Sequence, residues 1–494
     1  MLSHMSTTPG TAAPIVDSPT GRDRDPFWPT RNPVGFARDL VSTRRRVDAP
    51  RPPGPRGRPF VGMLPEFSAD PFGLLQHLAT RYGDVYRLPL PLYDVVVVNH
   101  PDLVSQIMNC REAEYSMIGP FGWIRGVLGA SIPMMEGSPF RRRRKLLMPM
   151  FSVRHLSKIA GTVAAEFGAR IAQWDRYAES GQQVDLQDLI AGLTLPAFMR
   201  AMFSAELTDA EIHQIDVDTR ALMRTVAAGM FLSPVPRLLP GGDNPFQAYA
   251  RLRKWVGRRI DERIADPETY DDLLQVIIDA RYEDGQPISR RDAIMETIIL
   301  IGGGYETVVA SMSWTLSLLQ HNPEAYRRLL AEIDQLDGQT PTYDDLSRLQ
   351  WAKACFDEGQ RLQGHPFHPR FAMIDDTIGG YRVRRGNLIG VSMYALQRDP
   401  RWWSPDPDTY DPNRFYDKEI VNARPNLAFI PFGAGPHRCI GSAMAYMNAQ
   451  FLLTQIHQRF RIHVPAGWTP QHASTFSCTV EDGVPATLTK VSGE

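Results

Sequence analysis

Apolar residues return along this chain at two spacings, and the helical one dominates. From His155 to about Leu319 they recur every three or four positions, broken by a Pro/Gly-rich section at Ser233 to Pro245. Strand-like runs are few. Val85 to Leu88 and Tyr93 to Asn99, joined by Pro-Leu-Pro-Leu, predict a short β-hairpin. Smaller strand signals lie near Tyr381 to Val383, at Ile389 to Met393, and in the last hundred residues. This distribution predicts a mainly α fold with small β-sheets at its edges, an α+β arrangement without internal repeats.

The ends of the pattern set the boundaries. Residues 1–50, rich in Pro, Thr, Ser, Gly and Arg and without periodicity, read as a disordered leader. Residues 51–494 read as one catalytic domain, entered through the proline-stiffened stretch Arg51 to Phe60. Globular structure is expected from about Asp70, with Asp70 as N-cap, Pro71 at the first helical position and Gly83 as the stop. Between Glu112 and Gly137 lies a long irregular stretch carrying Tyr115, Met117, Ile118, Phe121, Trp123, Ile124 and Met134. Its length and greasiness predict a lid or binding loop for an apolar substrate.

Composition narrows the function classes. The chain of 494 residues carries a net charge of −1, without the basic excess of a nucleic-acid binder. Four scattered cysteines, Cys110, Cys355, Cys439 and Cys478, fit a reducing compartment better than a disulfide scaffold or a structural zinc site. The apolar runs Val95 to Val98 and Ile298 to Ile301 fall short of the roughly 18 residues of a membrane span. Neither a signal peptide nor a transmembrane segment is expected, and the location expected is cytoplasmic.

Two stretches carry chemistry. Phe432 to Gly441 reads Phe-Gly-Ala-Gly-Pro-His-Arg-Cys-Ile-Gly, a cysteine in a glycine-punctuated loop before a helix. A ligating thiolate needs a low pKa, which an adjacent helix N-terminus favours. Gly433 and Gly435 permit positive φ and close approach to a flat cofactor, Phe432 shields the sulfur, and Gly441 lets the next helix come near. Such a loop suits a fifth ligand for haem iron, whereas an inert buried cysteine is the commoner fate of a lone cysteine. The second stretch is a helix of about 30 residues beginning after Ser289, with Gly302, Gly303 and Gly304 at its middle, followed by Tyr305-Glu306-Thr307. Each mid-helix glycine costs roughly 1 kcal/mol relative to alanine, so three together imply space for a bound molecule. Thr307 and Glu306 would offer it a hydroxyl and an acid. A third stretch, Arg141 to Lys145, is a cationic helix start. One cation is expected to face a buried anion while the others form a docking surface for an acidic partner.

With these motifs the chain resembles the cytochrome P-450 superfamily of haem-thiolate monooxygenases, in its soluble bacterial form, over about residues 50 to 494. The resemblance implies haem b held between a long distal helix and a proximal cysteine loop, with Cys439 as metal ligand. Gly303 to Thr307 match the distal motif, with Gly303 and Gly304 beside the cofactor and Thr307 and Glu306 delivering protons during oxygen activation. Glu358 and Arg361 match Glu-x-x-Arg, and Arg414 is the third member of that structural triad. Arg144, Arg370 and His437 match the partners of the haem propionates. The implied reaction inserts one oxygen atom from O₂ into a C–H or C=C bond of a lipophilic small molecule of terpenoid, polyketide, steroid or fatty-acyl type. Electrons from NAD(P)H would arrive through a ferredoxin and ferredoxin reductase or a flavoprotein reductase.

Three departures stand out. Phe140 replaces the family's Trp or His, which removes one propionate hydrogen bond. Gly364-His365, followed by Pro366-Phe367-His368-Pro369, stands where Pro-Pro is common, beside the substrate pocket. Gln397 replaces a frequent His without evident consequence. A peroxide-driven or non-O₂ haem enzyme, and a non-catalytic haem or lipophile carrier, are competing readings that the intact Glu306-Thr307 pair disfavours.

Overall fold

The Asp70 carboxylate accepts the Gly73 N–H at 2.8 Å, Pro71 fills a position that needs no N–H, and Gly83 ends α1 (Pro71–Tyr82) at φ +86°. The computed structural model describes residues 48–91, 94–110, 114–118, 131–232, 244–266, 270–282, 284–365, 367–473 and 477–491, without the side chains of 110 and 225–232. Nearly all of the expected leader, the tip of the hairpin and most of the irregular stretch at 112–137 lie outside those residues. Order begins before Asp70, contrary to expectation. The carbonyls of Pro50 and Pro53 accept N–H groups of Arg382 and Arg87, at 2.8 and 2.7 Å, which lays the lead-in along strand edges.

Among the described residues, short strands make three sheets: β1 (Val85–Pro89), β2 (Asp94–Val98), β3 (Tyr115–Ser116), β4 (Val184–Asp185), β5 (His368–Ala372), β6 (Asp376–Ile378), β7 (Tyr381–Val383), β8 (Leu388–Val391), β9 (Phe460–His463) and β10 (Pro485–Lys490). The largest runs β1-β2-β8-β5-β3; β4-β10-β9 and β6-β7 are the others. The expected hairpin is there, β1 antiparallel to β2 with Val85 opposite Val98. β2 also pairs parallel to β8, and its continuous valines are buried because both faces are covered, Val95 and Val97 in one apolar cluster and Val96 and Val98 in another.

Helices make most of the rest, among them α2 (Gly137–Leu147), α3 (Val153–Ile171), α4 (Leu186–Phe203), α5 (Asp209–Leu232), α6 (Pro245–Ala265), α7 (Arg290–Gln320), α8 (Gln350–Gln363) and α9 (Ser442–Arg459). Ser289 caps α7 as expected, its hydroxyl accepting the Asp292 N–H at 3.1 Å. α7 is 31 residues long and packs against α4, α8, α6 and α9. By length and composition it could cross a membrane, contrary to the reading of short apolar runs, but 78% of its most apolar window lies inside the protein. A core helix needs apolar residues on all faces, and that produces the same composition.

Candidate active site

The strongest charge cluster lies on α8. Glu358 and Arg361 are fully buried and one helical turn apart, joined by two N–H···O bonds of 2.7 Å. Arg414 Nε stands 3.6 Å from the same carboxylate, so the expected triad is assembled. Buried charges are tolerated only when well paired and hydrogen-bonded. Arg361 also donates to the carbonyls of Gln397 (2.8 Å) and Pro407 (2.6 Å), and Arg414 to those of Trp403 (2.7 Å) and Ser404 (2.8 Å). Gln397, without evident role in the sequence, ties this cluster to the segment entering the cysteine loop. Its amide donates to the Arg361 carbonyl at 3.1 Å and accepts the Ile430 N–H at 3.2 Å.

In the cysteine loop, the Cys439 N–H donates to the Phe432 carbonyl at 2.9 Å, and α9 begins three residues later. The Cys439 side chain has free surface, yet burial dominates its electrostatics and pushes the thiol above its ordinary value. The N–H groups of Gly441 and Ser442 and the charges of Arg144 and Arg438 pull the pKa down, as a helix N-terminus should, but burial outweighs them. The low pKa expected from the sequence is therefore not supplied by the folded loop alone. Gly433 and Gly435 have φ of +69° and +71°, as expected. What crowds Gly435, however, is protein: a Cβ there would lie 1.9 Å from the Met108 carbonyl oxygen. Met108 belongs to the π-helical turn Gln106–Cys110. Gly441 approaches both Phe151 and the Cys439 sulfur, at 3.8 and 4.0 Å from its ideal Cβ.

The expected anion partners gather around this loop. Arg144 is half-buried and electrostatically coupled to Cys439. His437 stacks on Phe140 with ring centres 3.9 Å apart, so the aromatic that replaces a hydrogen-bonding residue holds a neighbouring imidazole instead. Arg370 is buried on β5, near the Glu136 carboxylate. His368, two residues earlier, lies against Gly433, and burial and Arg370 lower its pKa to about 3. Within the cationic run, Arg143 turns inward as one cation was expected to, pairing with buried Glu296 at 2.8 Å. Arg141, Arg142 and Lys145 stay exposed.

On α7 the three glycines divide. A Cβ on Gly303 would meet no described residue within 4 Å, although Gly302, Tyr305 and Glu306 nearby are buried. Gly304 instead packs on α4, where a Cβ would lie 2.2 Å from the Phe198 ring, and Gly302 faces Met223. The expectation that Gly304 borders a cofactor is thus replaced by a helix crossing. The Thr307 hydroxyl, one turn on from Gly303 and half-buried, donates to the Gly303 carbonyl at 2.9 Å. Glu306 points elsewhere: it is buried and accepts a hydrogen bond from Ser477 of the C-terminal segment. Burial raises its pKa to about 7. Sequence reasoning missed Ser477, which has no local motif.

Apolar and aromatic segments that the sequence offers for a substrate pocket are Met117 to Trp123, Ala227 to Leu232, Ile301, Phe367 to Phe371 and Phe476 to Val480, and of these Ile301, Phe367, Phe371 and Val480 are buried. Phe367 belongs to the core rather than a pocket, stacked on Phe67 at 5.6 Å and filling the space over Gly390. His365 places Nδ1 3.4 Å from the Cys478 sulfur. Residues 119–123, the side chains of 227–232, and Phe476 lie outside the described residues.

Cys439 at the head of α9, the residues Arg144, Arg370 and His437, and the Gly303 backbone, whose Cβ would meet no described residue, fit a flat metal-bearing group with an anionic edge. Comparison with known proteins agrees. Residues 52–481 match the family description "Cytochrome P450". A putative cytochrome P450 132 of Mycobacterium tuberculosis is 29% identical over 429 residues, 82% of this chain and 90% of that one. The cyclooctat-9-en-7-ol 5-monooxygenase of Streptomyces melanosporofaciens is 27% identical over 452 residues, 89% of this chain and 95% of that one. Among solved structures, the haem domain of cytochrome P450DA superposes with a TM-score of 0.78 at 24% identity, covering 90% of this chain and 98% of that one, a likeness of fold. The chain belongs to the cytochrome P450 family of haem- and O₂-dependent enzymes, and its activity is of the monooxygenase kind.

Proposed function

We propose that residues 51–494 form one haem-thiolate monooxygenase domain behind a leader, acting on a lipophilic small molecule with electrons from a separate redox protein. One observation carries this reading: Cys439 stands just before α9 with free surface, and the N–H groups of Gly441 and Ser442 and the charge of Arg144 act on its thiol. Cys439 would hold the iron, and Arg144, Arg370 and His437 the anionic edge of the group. Bound there, thiolate-ligated haem supplies O₂ activation and transfer of one oxygen atom to carbon.

The remaining work falls to this chain's own side chains. Gly303 keeps the α7 backbone clear of bulk. The Thr307 hydroxyl, bonded only to the Gly303 carbonyl, can turn to a polar species in that space. Glu306, its pKa raised by burial to about 7, can give up a proton and take one back near neutrality. Phe432 keeps water from the sulfur.

Terpenoids are the first substrate class to test, because two Streptomyces relatives are named cyclooctat-9-en-7-ol 5-monooxygenase and cyclooctatin synthase. Exposed Arg141, Arg142 and Lys145 on α2 would meet an acidic ferredoxin or flavoprotein reductase. Reduction by such a partner should slow at high salt; an unchanged rate in Arg141→Glu/Arg142→Glu would remove this contact from the proposal. A cytoplasmic location completes the reading, checked by cell fractionation. The ligand assignment is tested by the reduced carbon monoxide complex. Its Soret band should be strongly red-shifted in the native protein and lose that shift in Cys439→Ala. NAD(P)H-coupled product formation with surrogate redox proteins, screened over terpenoids, tests the reaction.

A further inference from the structure

On the far side of the cysteine loop a buried acid joins a surface lysine to the aromatic shield. Asp357 of α8 is 2% exposed; its Oδ2 pairs with Lys353 Nζ at 2.6 Å and its Oδ1 accepts the Tyr446 hydroxyl at 2.6 Å. The Lys353 ammonium also lies 4.5 Å from the centre of the Tyr446 ring. Tyr446 stands in the opening turns of α9, and its ring meets Phe432 edge-on, centres 5.3 Å apart, and Phe356 at 5.9 Å. Phe432 in turn receives the Cys439 N–H on its carbonyl.

Packing alone asks only for a phenyl ring at position 446. A carboxylate withdrawn from water is expensive unless its partners are fixed, so two donors on Asp357 hold Tyr446 at one height along α9. That height sets where Phe432 lies. Water that reached a ligating sulfur would offset its charge and weaken its donation to a metal, so the apolar cover helps to set the metal's potential.

We propose that Lys353, Asp357 and Tyr446 are positioning residues that fix Phe432 over the Cys439 sulfur and thereby set how readily the iron accepts an electron. The inference rests on Cys439 being the ligand, as proposed above. The experiment uses the haem-loaded protein. Midpoint potentials by spectroelectrochemical titration, with the Fe–S stretching frequency of the ferric form, are measured for the native protein, Tyr446→Phe, Phe432→Ala and the double variant. Tyr446→Phe removes one oxygen atom and keeps the ring. It should raise the potential in the same direction as Phe432→Ala but by less, lower the Fe–S frequency, and add nothing in the Phe432→Ala background. An unchanged potential, a downward shift from a bare Asp357 charge, or an equal shift in both backgrounds would overturn the proposal. Absence of the red-shifted carbon monoxide band in the native protein would instead remove the reading on which it rests.

Discussion

The triad on α8 and the central turn of α7 treat polar groups in opposite ways. Around Glu358, Arg361 and Arg414 the guanidinium groups are committed to the carboxylate and to six neighbouring carbonyls, those of Gln397, Pro407, Thr409, Trp403, Ser404 and Asp406. At Gly303 and Thr307 the commitments are few, a hydroxyl bonded to its own helix and a glycine whose Cβ would meet no described residue, and the buried Glu306 beside them accepts one bond, from Ser477. The first arrangement cannot move without stranding charge. The second can rearrange at little cost, which is what proton transfer requires.

The contrast is broken most severely by Glu358→Gln. Leaving two guanidinium groups without their carboxylate should cost about 3–5 kcal/mol and lower haem-loaded yield, as measured by chemical unfolding and the haem-to-protein ratio. A smaller effect belongs to the loose side. Burial raises Glu306, so the unfolded chain, with its carboxyl near 4.5, ionises first. The stability contributed by the neutral acid is full below about pH 4.5 and is lost as pH rises through about 7. Glu306→Gln should flatten that loss, worth about 3 kcal/mol at roughly 1.4 kcal/mol per pKa unit, in melts across pH 4.5–8. The same variant should abolish the decline of turnover above about pH 7.

The glycines sharpen the comparison at smaller scale. Gly304→Ala drives a methyl into Phe198 and should destabilise by about 1–3 kcal/mol. Gly303→Ala meets no atom of the described residues and should stabilise by up to about 1 kcal/mol through helix propensity. Opposite signs at adjacent positions, read from denaturant midpoints, would separate a packing glycine from a clearing one.

Much of this was legible in the sequence because it is local. The Asp70 cap, the hairpin, Ser289 and the length of α7 follow from short-range rules, and Glu358 meets Arg361 because a helix puts them one turn apart. The inward-turning cation of the basic run was foreseen as well. What stayed hidden is long-range. Nothing near Gly304 announces Phe198, nothing near Glu306 announces Ser477, and the two bridging bonds of Gln397 exist only when distant segments meet. The apolar count of Phe367 suggested a pocket wall, yet the ring stacks on Phe67, because core and pocket draw on the same residue types.

Gly435 carries a consequence for how the protein is made. Its backbone rests on the Met108 carbonyl of a turn translated long before it, so the cysteine loop cannot take its final shape from its own sequence. Contacts this distant along the chain form late in folding. Cofactor capture should therefore lag behind helix formation during refolding, and the appearance of the bound cofactor's absorbance would report closure of the whole chain rather than completion of one loop.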